Sequence, residues 1–272
     1  MINDIISIFS LGFMQRALFG GILISLCCAL LGVILVLKRF SMIGDGLSHI
    51  AFGALAIATA LGFSPMYFTI PVVIIAAFLL LKLKDSSNIK GDSAIAMISI
   101  SSLAIGIIFI SYTSGGNTDV YNYMFGSILA LTEQDIVLIT ILSSFTIIMY
   151  ILTYNKMFLV AFDEKFAKST GTNTDFYNMT IALLSAIVIV IGMKMMGAML
   201  ISALIIFPAL TTMRIFRTFK TVIISSAVLS VINFSIGMFL SVILNTPTGA
   251  SIVVIDVIMF VIFTLIGKLL HK

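Results

Sequence analysis

The chain has 272 residues, of which 61% are hydrophobic and only 10% charged, with a net charge of +4. A soluble domain carries about 25% charged residues, so no soluble fold hides this much apolar surface. The basic residues fall in short connections between apolar runs, which leaves no basic stripe for DNA or RNA and makes the lipid bilayer the expected partner.

Read in chain order, Met1 to Gln15 holds one acidic residue, Asp4, and no basic stretch ahead of the first apolar run, so no cleavable signal peptide is expected. Uncharged windows then follow at 17–37, 50–64, 65–81, 93–113, 136–155, 176–193, 195–213, 221–244 and 248–270. Most match the roughly 20 residues that cross a bilayer. The expectation is an all-α, polytopic integral membrane protein with eight or nine transmembrane helices, all of residues 1–272 forming one transmembrane domain. Gly62-Phe63-Ser64-Pro65 and Asn245-Thr246-Pro247-Thr248-Gly249 split longer apolar runs into hairpins, because Pro and Gly end helices. Cys27 and Cys28 are neighbours in an uncharged run, which suits small buried hydrophobes and not a disulfide.

Basic residues cluster at Lys38-Arg39, at Lys82, Lys84 and Lys90, at Lys156, Lys165 and Lys168, at Arg214, Arg217 and Lys220, and at Lys268 and Lys272. These connections should face the cytoplasm. The N-terminus is then outside and the C-terminus inside with nine spans, although Arg16 argues for the opposite start. Residues 114–135 read as an external interfacial segment ending in Thr132-Glu133-Gln134-Asp135, a capping-box pattern. Residues 156–175 read as a cytoplasmic connection with an amphipathic helix ending near Gly171.

Ionisable groups inside a membrane are costly and are candidate functional residues by default. Asp45 and His49 stand four apart and so share a helix face. A carboxylate and an imidazole suit zinc or manganese, and two copies of the pair on a twofold axis would make a four-ligand N2O2 site. The alternative is that Asp45 caps a helix and pairs with Lys38 or Arg39, leaving His49 incidental. Asp256 lies near the middle of the last window, and Lys194, in GMKMMGAM, is its available partner; the two could form a structural pair or a secondary polar pathway. The methionines of that stretch read as core filler, and Ala54, Ala58 and Gly62 as a packing face. The remaining histidine, His271, sits in the charged tail.

There is no GxxxxGK[ST] motif, so the chain does not cradle ATP phosphates itself, and no nucleophile elbow or HExxH helix, so it does not read as an enzyme. Energy must come from a partner or from an ion gradient. An ion-coupled secondary transporter would use Asp256 and Lys194 as its coupling pair and predicts inverted repeats, which the halves do not show.

Four ordered stretches resemble the permease subunits of zinc and manganese ABC importers, across essentially the whole chain. They are FMQRALFGGILISLCCALLGVILVLKRFSMIGDGLSHIAFG, NTDVYNYMFGSILALT, VAFDEKFAKSTGTNT, and the pair MKMMGAMLISALIIFPALTTMRIFRT with TPTGASIVVI. The wording NTDVYNYMFGS and MKMMGAM is similar to the zinc-type members. The resemblance implies a homodimeric permease in the bacterial cytoplasmic membrane, two cytoplasmic ATP-binding subunits and an external metal-binding protein. It implies no permanently bound cofactor, with Zn2+, or Mn2+ or iron, as the transported substrate. On it, Asp45 and His49 match intramembrane metal positions, and Phe162, Asp163, Glu164, Lys165 and Phe166 match the loop that docks into the ATPase.

Overall fold

The computed structural model describes residues 11–86, 91–113, 126 and 132–270. Among them, every regular element is helical: α1 (Gly12–Leu37), α2 (Ser41–Ala60), α3 (Pro65–Ser86), α4 (Gly91–Thr113), α5 (Glu133–Phe162), α6 (Glu164–Ser169), α7 (Thr174–Met196), α8 (Ala198–Thr212), α9 (Phe219–Leu244) and α10 (Thr248–Leu270). Helices satisfy their own backbone polar groups, which is what hydrocarbon demands of any segment that crosses it. Eight of these helices are long and apolar enough to span a membrane, and the ninth apolar window is the 15-residue α8. Of the external segment, only Gly126 and residues 132–135 fall within the described residues.

Two boundaries differ from the sequence expectation. The window starting at residue 50 was trimmed by Asp45 and His49, yet α2 begins at Ser41 and carries both on its first turns. A charge raises the cost of insertion without breaking a helix. The connection at 156–175 is also mostly helical: α5 runs on to Phe162, α6 follows at once, and α7 begins at Thr174. The turn expected at Gly171 is present, with a φ of 78°. Its N–H donates to Lys168 O at 3.1 Å and that of Thr172 to Ala167 O at 3.0 Å, a Schellman closure that satisfies the carbonyls at the end of α6.

The layering follows from burial. Of the apolar window of α7, 83% of residues are buried, against 17% for α10. Helices α1, α2 and α7 therefore form the centre, while α4, α5 and α10 present rows of Ile, Leu, Val and Phe outward to lipid. The ends that carry basic residues come together. Arg217 shares a cleft of about 390 Å³ with Leu37 and Phe162, Lys82 shares one of about 480 Å³ with Glu164 and Asp175, and the backbone of Arg214 lies against Gly267. At the opposite end Arg16 of α1 binds Glu133 of α5 at 3.2 Å, so the one basic residue that argued for an inverted start is neutralised there. At the C-cap of α7, Gly197 (φ 83°, ψ 159°) breaks the chain in a conformation open almost only to glycine, and α8 turns back from it.

Within a bilayer helices are held by close packing and not by expulsion of water, so small residues mark the contacts. A Cβ on Gly32 of α1 would lie 1.9 Å from the carbonyl oxygen of Ile205 in α8. On α2 the packing glycines are Gly46, whose missing side chain is replaced by Ile95, and Gly53, set against Ser102 and Gly106 of α4. Ala54 and Ala58 are buried as expected, but Gly62 packs against nothing and instead ends α2 with a φ of 72°.

Replacement of Gly32 by Ala forces α1 from α8 and is expected to destabilise the protein by about 1–3 kcal/mol. The readout is a lowered midpoint of thermal unfolding in detergent, with Gly12→Ala, where the added methyl meets open space, as the control that does not lower it.

Candidate metal-transport site

Asp45 and His49 lie one turn apart on α2, with His49 Nε2 3.7 Å from Asp45 Oδ2 and the side chains 29% and 43% exposed. That separation is too long for a hydrogen bond. It is close to the spacing of about 3.4 Å that two ligands adopt when each lies about 2.1 Å from a tetrahedral zinc ion. The other ring nitrogen, Nδ1, is buried with no hydrogen-bond partner. Asp45 sits within α2 and not at its cap position, which is Phe40. Lys38 is bound elsewhere, to Glu164.

Ser48, next to His49 in sequence, points into the protein: its hydroxyl donates to Gly44 O at 2.9 Å and accepts from Ser202 of α8 at 3.3 Å. This contact fixes the rotation of α2 and keeps the Asp45 and His49 face turned out of the helix core. Among the described residues no group of three or more His, Cys, Asp or Glu is placed to hold an ion. Two side chains of ligand type are half the number that a tetrahedral zinc site uses.

The pairing of Asp256 with Lys194 is not what the structure shows. Lys194, at the end of α7, binds Asp135 in the first turn of α5 at 2.5 Å. Asp135 also accepts from the backbone N–H of Thr132 at 3.1 Å and from its hydroxyl at 2.8 Å, while Thr132 accepts from Asp135 N, completing the capping box. Asp256, fully buried in α10, instead accepts from Asn233 Nδ2 of α9 at 2.7 Å. The reason is geometric: α10 packs on α8 and α9, whereas Lys194 reaches the opposite end of the molecule beside α5. Hydrophobic windows carry no information about which helices are neighbours. Asn233 was overlooked because a neutral amide leaves an apolar window intact.

The five residues expected at the ATPase fall on one short element and its approach. Phe162 and Phe166 are 76% and 55% exposed, Lys165 is exposed, and the Asp163 carboxylate caps α6 by accepting from Phe166 N at 2.9 Å. Glu164 turns the other way, accepting from Lys38 of the α1 end and from Asn178 of α7, each at 3.2 Å.

The Asp256 and Asn233 clasp leaves Asp256 Oδ2 and Asn233 Oδ1 buried and unpartnered. Asp256→Asn keeps the acceptor and adds an N–H that the unpartnered Asn233 oxygen can accept, so folded yield and thermal stability should hold. Asp256→Leu strands the Asn233 amide and should cost about 1–3 kcal/mol, read in the same thermal assay.

Compared with known proteins, residues 10–267 match the model of the ABC 3 transport family. The chain is 29% identical over 250 residues to the manganese import system permease protein ScaB of Streptococcus gordonii, covering 92% of this chain and 90% of that one. It is 30% identical over 235 residues to the high-affinity zinc uptake system membrane protein ZnuB of Buchnera aphidicola, covering 86% and 90%. Among solved structures, PsaBC from Streptococcus pneumoniae in complex with Fab matches with a TM-score of 0.87 at 29% identity, over 97% of this chain and 95% of that one. The eight apolar spans and a family match running nearly from end to end agree: the chain is a multi-pass protein of the cell membrane and belongs to the ABC 3 transport family.

Proposed function

We propose that this chain is the membrane-spanning permease of an ATP-driven importer that carries a divalent first-row transition metal into the cell. The observation that carries the reading is the Asp45 and His49 pair, spaced to share one ion, on a central helix of a fold matched to the ABC 3 family. The ligand types suit Zn2+, the cargo to which the sequence motifs lean. A second reading, Mn2+, is favoured by relatives that carry manganese in their names. Two copies related by a twofold axis would complete an N2O2 site.

In this reading an external metal-binding protein delivers the ion and cytoplasmic ATP-binding subunits supply the energy. The exposed Phe162, at the end of α5, and Phe166, within the Asp163-capped α6, form the surface to which the ATPase docks. Nucleotide binding there shifts the population between outward-open and inward-open states. A site of few ligands suits the task, since an ion must leave as readily as it enters. Asp256 and Lys194 form no pathway in this scheme, because each is held by its own partner.

The test is cell-associated zinc and manganese in a strain relying on this permease, comparing the wild type with Asp45→Asn and His49→Ala at matched membrane expression. Loss of even an outer-shell metal partner typically costs 10–100-fold, so each variant should lower uptake of the cargo at least about tenfold. The metal whose accumulation collapses is the cargo. Uptake of both metals at wild-type rates in both variants would show that the pair is structural.

A further inference from the structure

Resting on the importer reading, we infer that Lys38 and Glu164 form an internal latch through which movement of α6 is passed to α2, the helix that carries Asp45 and His49. Lys38 is the C-cap residue of α1, and its side chain is only 4% exposed. Its ammonium donates to Glu164 Oε2 at 3.2 Å and to Val160 O of α5 at 3.3 Å, and lies over the Phe40 ring at 5.2 Å. The second carboxylate oxygen of Glu164 accepts from Asn178 Nδ2 of α7 at 3.2 Å. One carboxylate on the short α6 therefore ties together the end of α1 and the second turn of α7.

Both sides of this contact are stiff. On the α6 side, Asp163 caps the start and the Schellman closure at Gly171 fixes the end. On the α1 side, Arg39 N donates to Val36 O at 3.0 Å and Phe40 N to Leu35 O at 2.7 Å, a second Schellman closure. This one places a non-glycine residue in the left-handed region, Arg39 having a φ of 57°. Helix α2 starts immediately afterwards at Ser41, and Asp45 lies on its next turn. A displacement of α6 cannot be absorbed in slack chain at either end, so it must move the corner between α1 and α2.

The burial of the cation separates this pair from an ordinary surface contact. Exposed ion pairs contribute about 0–1 kcal/mol and can open and reform without consequence. A buried ammonium deprived of its carboxylate loses its counter-ion and keeps only neutral partners such as Val160 O, a costly state that favours its moving with the carboxylate, which is itself 39% exposed. Lys38 and Asn178 are accordingly positioning residues, touching neither the cargo nor the ATPase.

The experiment uses the whole permease with its ATP-binding partner, reconstituted in lipid vesicles, measuring entry of Zn2+ and Mn2+ together with phosphate release. Allosteric couplings of this kind are typically worth about 5–150-fold. In Lys38→Met and Asn178→Leu, assembly with the partner and ATP hydrolysis should persist while metal moved per ATP falls about tenfold or more. Lys38→Arg, which retains a cation, should recover most of it. The latch is overturned if metal moved per ATP is unchanged in Lys38→Met. It is also overturned if assembly, hydrolysis and uptake fall together in both variants, the pattern of a merely structural contact. Asp45→Asn, run in parallel, tests the underlying reading on its own: it should abolish uptake whatever the latch does, and wild-type vesicles that move neither metal with ATP would remove both.

Discussion

Hydrocarbon cannot solvate an ionisable side chain, and the need to give the buried ones polar partners decides which helices are fastened to which. Three polar contacts meet that need. Lys194 binds Asp135 at one end, joining α7 to α5, while Lys38 binds Glu164 at the other, joining α1 to α6. Between α9 and α10 the buried Asp256 is held by Asn233. The first two join helices distant in sequence and the third fastens the two arms of a hairpin, so each acts as a staple between elements that lipid would otherwise leave indifferent to one another. Asp45 and His49 are the exception. They are partly exposed and separated by more than a hydrogen bond.

Close approach at glycine does the rest. The Gly32 contact with Ile205 brings α8 against α1, and the Gly53 contact with Gly106 brings α4 against α2. The break at Gly197 sends α8 back toward the end that bears Arg214 and Arg217. A 15-residue helix is about 22 Å long, shorter than the hydrocarbon thickness of about 30 Å, so part of that return is made by the turns after Thr212. Helix α5 errs the other way: its 30 residues extend about 45 Å, which carries Phe162 beyond a perpendicular crossing and places it, exposed, where α6 begins.

Much of this was legible in the sequence because membrane insertion writes itself in composition. Uncharged windows marked the spans, basic residues marked one face, and the spacing of Asp45 and His49 predicted their shared helix face, since periodicity is a local property. Pairing is not local. Nothing in SIVVIDVIMF or GMKMMGAM tells that α10 neighbours α9 while Lys194 reaches α5, and the apolar scan that found the spans skipped Asn233 and Asn178 because amides are neutral. The same scan cut α2 short at the charges that matter most to it. In the sequence Lys38 is a topological marker and a candidate partner of Asp45, and its burial against Glu164 emerges from the way α5 and α6 close over the end of α1.

An incomplete site on one chain has a physical consequence. If Asp45 and His49 ligate the cargo, two ligands from one helix, with no cluster of three or more His, Cys, Asp or Glu among the described residues, would bind a divalent ion weakly, since the desolvation cost of the ion is met by only half a coordination shell. A second copy facing the first would double the ligand count in one conformation and halve it in another, if the two α2 helices separate. Affinity would then be set by the distance between two helices and not by the residues on either. On the proposed latch the corner between α1 and α2 would set such a distance, and Lys38 would place that corner under the hold of α6. High affinity on one side of the membrane and release on the other would follow from a single rigid displacement, with no ligand exchanged.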